Sequence, residues 1–226
     1  MAAKTRMGKY LTEIETDFIS KAVDLSQEPL SVMDVGAEAG RFSLLPQNSK
    51  VQVVSIDINA YALRRLKQKA CQVNIILADA RCLPLKEGVF DVVFMIEVLD
   101  YIPELDQALS ECVRALKPGA SAVLSFGNKS SLKARLKALR GKSYRHSYGE
   151  VLECMSKTGG WVKKKLGYNW LPMGRTSQNN MVYILACLEK IFGLRRIVKY
   201  SPWVIMHIKK PFPDAKLMQV PLESHK

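Results

Sequence analysis

No apolar run in the sequence approaches the roughly 18 residues that a membrane-spanning helix requires, so no such helix is expected in it. The first ten residues, MAAKTRMGKY, carry positive charges with no apolar stretch behind them, so no secretory signal is expected and the chain is expected to be cytosolic. Cysteine is sparse: Cys71, Cys82, Cys112, Cys154 and Cys187 form no CxxC pair, and their odd number argues against a disulfide framework. With three histidines and no grouped His, Cys or Asp, no metal site is expected. Acidic residues are scarce in one half only. Through Gly127 there are 14 basic against 16 acidic residues, net −2, whereas from Asn128 onward there are 20 against 5, net +15. The later half is therefore expected to meet an anionic partner, unless its charge only solvates the surface.

What is present is a chain of 226 residues, 48% hydrophobic, long enough for one domain with a sizeable core. Apolar residues at helical spacing predict a helix over 13–24, and β-branched runs predict strands over 31–35, 51–56, 73–77, 90–96 and 120–126. Helical patterns over 60–70 and 105–116 separate them, the second stopped by Pro118 and Gly119. Such alternation implies right-handed βαβ crossovers and a doubly wound, mostly parallel α/β sheet. After Gly127 the stretch SSLKARLKALRGK puts Leu132, Leu136 and Leu139 on one helical face among Lys133, Lys137 and Arg140. A strand at GGWVKKKLGYNW, a helix over 180–192 and a closing strand SPWVIMHIKK follow.

In a sheet of this kind ligands bind outside the carboxyl ends of the strands, where strand order reverses. Acids stand at four such ends: Asp34 with Gly36, then Asp57, Asp79 and Glu97. Gly36 and Gly40 would let the backbone approach a ligand closely. Asp57, 21 residues beyond Gly36, stands where a carboxylate can hold both ribose hydroxyls. Asp79 and the Ala80 amide could pair with an adenine edge. The inventory describes an adenosine-containing ligand. A dinucleotide is disfavoured because GxGxxG fails at Glu38 and Arg41 and because the Glu38 carboxylate would repel phosphate. S-adenosylmethionine bears an ammonium and a sulfonium and no phosphate, so it tolerates acids near the first turn.

Residues 32–126 resemble the class I S-adenosylmethionine-dependent methyltransferases of the broad small-molecule type. VMDVGAEAGRFS is similar to the family's DxGxGxG motif and VVSIDIN to its acidic second-strand motif. LADARCLPLKEGVFDVVFMIEVLDYI is similar to its third and fourth motifs, and ALSECVRALKPGASAVLSF to the helix, turn and fifth strand. The resemblance implies a Rossmann-like, seven-stranded single domain over 1–226, with a cofactor half (1–127) and an acceptor half (128–226) carrying a basic helical lid before the last strand. It implies an enzyme in which Asp34, Gly36, Ala37 and Gly40 line the methionine end of the cofactor. Asp57 and Ile58 would hold the ribose and one adenine face, Asp79 and Ala80 the adenine edge, and Glu97 the neighbourhood of the methionyl amino group. Two positions depart from the pattern: Glu38 replaces the middle glycine, and Tyr101 stands where histidine is frequent.

The reaction would be an in-line displacement at the methyl carbon, driven by positioning and desolvation. For a hydroxyl acceptor the candidate bases are Asp100, Tyr101 and His146, each of which also suits a structural place. Absence of [DNS]PP[YFW] and of a Pro-Cys nucleophile disfavours DNA amino and cytosine C5 methylation. A small or lipid-like anionic acceptor, with peripheral membrane contact, fits the basic half and its tryptophans Trp161, Trp170 and Trp203. RNA is the rival acceptor, and a non-catalytic methyltransferase-like partner protein is the alternative outside enzymology.

Overall fold

The computed structural model describes residues 5–27, 29–46, 50–138 and 145–212. Helix α1 (Arg6–Ala22) begins a turn and more before the expected position, because Thr5 caps it by accepting a hydrogen bond from the Gly8 amide at 3.1 Å. Strands β1 (Leu30–Val35) and β2 (Val51–Asp57) precede α2 (Ala60–Lys69), whose Asn59 cap accepts from the Tyr61 and Ala62 amides. Then come β3 (Asn74–Leu77), β4 (Phe90–Ile96), α3 (Leu105–Ala115) and β5 (Leu116–Gly127). The helix expected over 105–116 thus ends one residue early, and Pro118 and Gly119 fall at the start of β5, where pairing with β4 shifts register. The basic half supplies α4 (Leu132–Ala138), α5 (Tyr148–Lys157), β6 (Trp161–Tyr168), α6 (Val182–Ile191) and β7 (Trp203–Lys209).

All seven strands join one sheet in the order β3-β2-β1-β4-β5-β7-β6. Strands β1 to β5 pair in parallel, and β7 runs antiparallel to both β5 and β6. Sequence order therefore reverses between β1 and β4, and the carboxyl ends of β1, β2 and β4 meet at that point.

Alternation along the strands sorts the core onto two faces. Met33, Val93, Met95, Leu124 and Met206 pack beneath α3 and α5, while Val32, Phe94, Val123 and Ile205 pack with α1, Leu66 of α2 and Val182 of α6. Full burial of such side chains contributes about 1.5–3 kcal/mol each. Helices α5 and α6 each bury one face in these layers.

Candidate functional site

A cavity of about 600 Å³ opens at the switch point. Its wall is built from four strand ends: Val35 to Glu38 after β1, Ile56 to Asn59 after β2, Ala78 to Arg81 after β3, and Ile96 to Val98 with Tyr101 to Pro103 after β4. Arg41 and Phe42 complete it. Ligand sites are expected at such a crevice, and the volume falls in the range of small-molecule and cofactor pockets.

The first turn answers the question posed by Glu38. Gly36 and Gly40 have φ of +72° and +85°, and Glu38 itself has φ of +49°, so it takes the left-handed conformation the missing glycine would have taken. The cost is about 1–2 kcal/mol of local strain. Its side chain is exposed and its amide donates to Asp57 Oδ2 at 2.8 Å. The Asn59 amide donates to Asp57 Oδ1 at 2.8 Å, so the Asp57 carboxylate is fixed by one backbone bond to each oxygen. A carboxylate offers about four lone-pair positions, which leaves one on each oxygen for a ligand.

Of the nine residues expected to hold the cofactor, seven line the cavity: Gly36, Ala37, Asp57, Ile58, Asp79, Ala80 and Glu97. Asp34 and Gly40 do not. Asp34 points into the core behind the turn, where Ser43 Oγ donates to it at 2.6 Å and Ser55 Oγ donates to Ser43 at 2.8 Å. Burial pushes the Asp34 carboxyl up to about 6. Gly40 faces Leu66, whose Cδ1 would lie 2.3 Å from an added Cβ, so this glycine serves helix packing. Asp79 lines the wall but is engaged by Arg81, which reaches it through its backbone amide, Nε and Nη2 and also bonds Glu104. These bonds hold the Asp79 carboxyl below its usual range. Ile58 is 74% exposed, an apolar surface in the wall suited to one face of a heteroaromatic ring.

At the other end of the cavity lies a charge cluster the sequence did not announce. Glu97 has φ of +61° and its amide donates to both the carbonyl and the hydroxyl of Ser125. Its carboxylate pairs with Arg41 at 3.2 Å and with Arg175. Arg41 also pairs with Glu15 of α1 at 3.2 Å, stacks over Phe42, and leaves Glu15 Oε1 to the Tyr168 hydroxyl at 2.6 Å. Burial, then the nearby Glu97, pushes the Glu15 carboxyl up to about 8. Burial also opposes charge on Glu97, but Arg41 and Arg175 outweigh it and hold that carboxyl below its usual range. Glu15 Oε2 and Glu97 Oε1 are buried and accept no hydrogen bond from any described residue. A readable trace of this cluster existed: Glu15 interrupts the apolar stripe of Leu11, Ile14 and Phe18.

The three candidate bases separate. Tyr101 lines the cavity and is 80% exposed. Asp100 Oδ2 accepts from the Gly127 amide at 2.9 Å and ties the β4 turn to the end of β5; burial raises its carboxyl. His146 is buried with Nε2 2.7 Å from the Ile102 carbonyl, so that nitrogen carries the proton and donates. Neither Asp100 nor His146 is in the wall. Among the described residues no three His, Cys, Asp or Glu side chains gather as a metal set, and no helix is long and apolar enough to cross a membrane.

The basic helix α4 also differs from expectation. Lys133 Nζ is clamped by Asn169 Oδ1 and by the carbonyls of Asn169, Leu171 and Met173 at 2.8–3.3 Å, so it pins the chain after β6. Leu132 and Leu136 face outward while Ala134 is buried. Leu139 and Arg140 lie outside the described residues, as does the side chain of Lys137.

A methyltransferase domain model matches residues 33–124. The chain is similar to a malonyl-[acyl-carrier protein] O-methyltransferase of Methylococcus capsulatus, 26% identical over 202 residues, covering 84% of this chain and 71% of that protein. It is also similar to a ubiquinone biosynthesis O-methyltransferase of Pseudomonas fluorescens, 29% identical over 140 residues and covering 59% of each. The crystal structure of geranyl diphosphate C-methyltransferase from Streptomyces coelicolor A3(2), in complex with magnesium, geranyl diphosphate and S-adenosyl-L-homocysteine, superimposes with a TM-score of 0.65 at 15% identity, over 89% of this chain and 80% of that one.

Proposed function

Since the chain belongs to the class I S-adenosylmethionine-dependent methyltransferases, we propose that it methylates a small or lipid-like anionic acceptor in the cavity at its strand ends. The cofactor half would be residues 1–127 and the acceptor half 128–226. The observation that carries the reading is the Asp57 carboxylate, held by two backbone amides at the end of β2 with a lone pair free on each oxygen.

The residues present fit the cofactor. The turn at Gly36 to Glu38 keeps the left-handed conformations that bring backbone close to a ligand. Asp57 would accept from the two ribose hydroxyls, and Ile58 and Ala80 would flank the adenine. Asp79 would read the adenine amino group only by sharing its oxygens with Arg81. At the far end, Arg41 and Glu97 carry opposite charges suited to the carboxylate and ammonium of an amino acid. S-adenosylmethionine, when bound, supplies a methyl group already activated on sulfonium. The chain's part is then to orient the acceptor nucleophile in line with that carbon and to exclude water. Tyr101 lines the cavity and would face the acceptor, and for a hydroxyl acceptor it would position the proton.

An anionic, lipid-like acceptor is supported by the net charge of +15 beyond Gly127 and by the likeness to a malonyl-[acyl-carrier protein] O-methyltransferase and a ubiquinone biosynthesis O-methyltransferase. Calorimetric titration with S-adenosylmethionine should give micromolar or tighter binding. Asp57→Ala should weaken it by about 1.5–3 kcal/mol for each charge-assisted bond lost. Unchanged affinity in that variant removes Asp57 from the site, and no binding by the native chain makes it a partner protein. A comparison of lipids and metabolites with and without the gene identifies the acceptor.

A further inference from the structure

Helix α6 exposes much of its apolar surface. Its sequence, VYILACLEKI, is apolar nearly all round, and a helix of that kind is normally enclosed by protein or lipid. Here it lies at the surface. Val182, Ala186 and Glu189 form the buried side, with Glu189 accepting from the Tyr10 hydroxyl at 2.6 Å and from Arg195 Nε at 3.3 Å. Ile184, Cys187, Leu188 and Ile191, at i, i+3, i+4 and i+7, lie on the opposite side and are all exposed. Met181, Phe192, Ile197 and Tyr200 extend this apolar surface, and the large side chains in it are each at least 40% exposed.

The charges that α6 and the turn after it themselves expose are of one sign. Lys190, Arg196 and Lys199 are exposed, and the single carboxylate between 181 and 200 is Glu189, which is buried. The outward surface of this segment therefore offers apolar side chains and cations, and the nearest exposed anion, Glu13 of α1, lies on its flank, 3.4 Å from the Tyr183 hydroxyl. That combination, an apolar stripe flanked by basic residues, matches the boundary between headgroups and acyl chains of an anionic bilayer. The chain leading into α6 supplies Arg175, which pairs with Glu97 in the cavity wall, and is pinned to α4 by Lys133. Helix α4 adds exposed Leu132 and Leu136.

We propose that the outer face of α6, with the turn through Tyr200, is an interfacial docking surface that lies in the headgroup region of an anionic membrane. The surface is independent of what the acceptor is, and its test is separable from that of the cofactor site. The full chain is floated with vesicles of phosphatidylcholine alone and of an equal mixture of phosphatidylcholine and phosphatidylglycerol, at near-physiological salt. Partition onto the anionic vesicles should exceed that onto neutral ones by at least about tenfold. Replacing Ile191→Ser and Phe192→Ser together should abolish it, and Arg196→Glu with Lys199→Glu should reduce it to the neutral level. Binding of S-adenosylmethionine, measured by calorimetry in the same variants, should stay within about threefold of the native value, which shows that they are folded. The proposal is overturned if the native chain does not float, or if the apolar variant floats equally well. It is also overturned if the native chain forms a dimer that the apolar variant dissolves, since a second copy then covers the face. Displacement of the chain from anionic vesicles by single-stranded RNA that binds this same face overturns it as well.

Discussion

Replacing Glu38→Gly isolates what an anion in a glycine position costs this turn. Glu38 sits at φ of +49°, and an L-residue there is strained by about 1–2 kcal/mol, which glycine avoids. Against this, glycine loses more backbone freedom on folding, about 0.5–1 kcal/mol. The exposed side chain donates and accepts nothing that fixes the turn; the bond to Asp57 comes from the backbone amide and survives the substitution. The variant should therefore be more stable by about 0.5–1 kcal/mol, which for a chain of this length raises Tm by about 1–4 °C. Glu38→Ala removes the same charge but keeps the strain, so it should leave Tm where it was or lower it. Thermal unfolding of the three proteins at one pH, without cofactor, reads the difference. Affinity for S-adenosylmethionine, measured by calorimetry, should change less than about threefold in Glu38→Gly. A fall in Tm for the glycine variant, or equal gains for glycine and alanine, would show that the side chain or its charge governs the turn. Loss of cofactor binding would make Glu38 a direct ligand.

The charge cluster beneath the cavity makes two further predictions. Glu15 has its carboxyl raised from an ordinary 4.5 to about 8, so its contribution to stability is full below about pH 4.5 and is lost as pH rises through 8. Asp34, raised to about 6, acts in the same direction but at lower pH, and His207, lowered to about 4 by burial, acts in the opposite direction below 6.5. Denaturant unfolding between pH 6.5 and 8 should therefore show native stability falling relative to Glu15→Gln; parallel curves would place the proton elsewhere. Arg41→Gln should cost about 1–3 kcal/mol, because it removes the charge-assisted contacts to Glu15 and Glu97 while Arg175 still pairs with Glu97. Adding Glu15→Gln should recover part of that loss, and strict additivity in the double variant would mean that the two carboxylates do not interact through Arg41.

Much of the architecture could be read from local pattern, because each βαβ unit is set by hydrophobic periodicity within a few tens of residues. The acids at strand ends follow from the same logic, and Asp57, Asp79 and Glu97 all reach the cavity. Asp34 shows the limit. A motif residue at a strand end can turn inward as easily as outward, and only the presence of Ser43 and Ser55 beneath the turn decides it. The cluster of Glu15, Arg41, Glu97, Tyr168 and Arg175 left only the trace of Glu15 within an apolar stripe, for a different reason. Its members come from α1, the first turn, β4, β6 and the chain before α6, and nothing local in sequence brings them together. Lys133 misled in a related way: a lysine on a basic helix reads as free charge, and its engagement by three backbone carbonyls depends on where β6 ends.

Strand β7 lies between β5 and β6, and β6 has no other neighbour in the sheet. During synthesis β1 to β4 can find all their partners among the five parallel strands and β5 finds one there, whereas β6 emerges well before β7, its only partner. For that interval it is an unpaired ribbon with open amides and carbonyls on both sides, the kind of segment that pairs with other chains. Its middle is Lys163, Lys164 and Lys165, all exposed in the finished structure. Three adjacent cations repel a second copy of the same strand, so the run acts as a guard against aggregation during folding and at the finished edge. Replacing these lysines with threonine would then leave the native sheet intact yet lower the yield of soluble protein on refolding, in proportion to chain concentration.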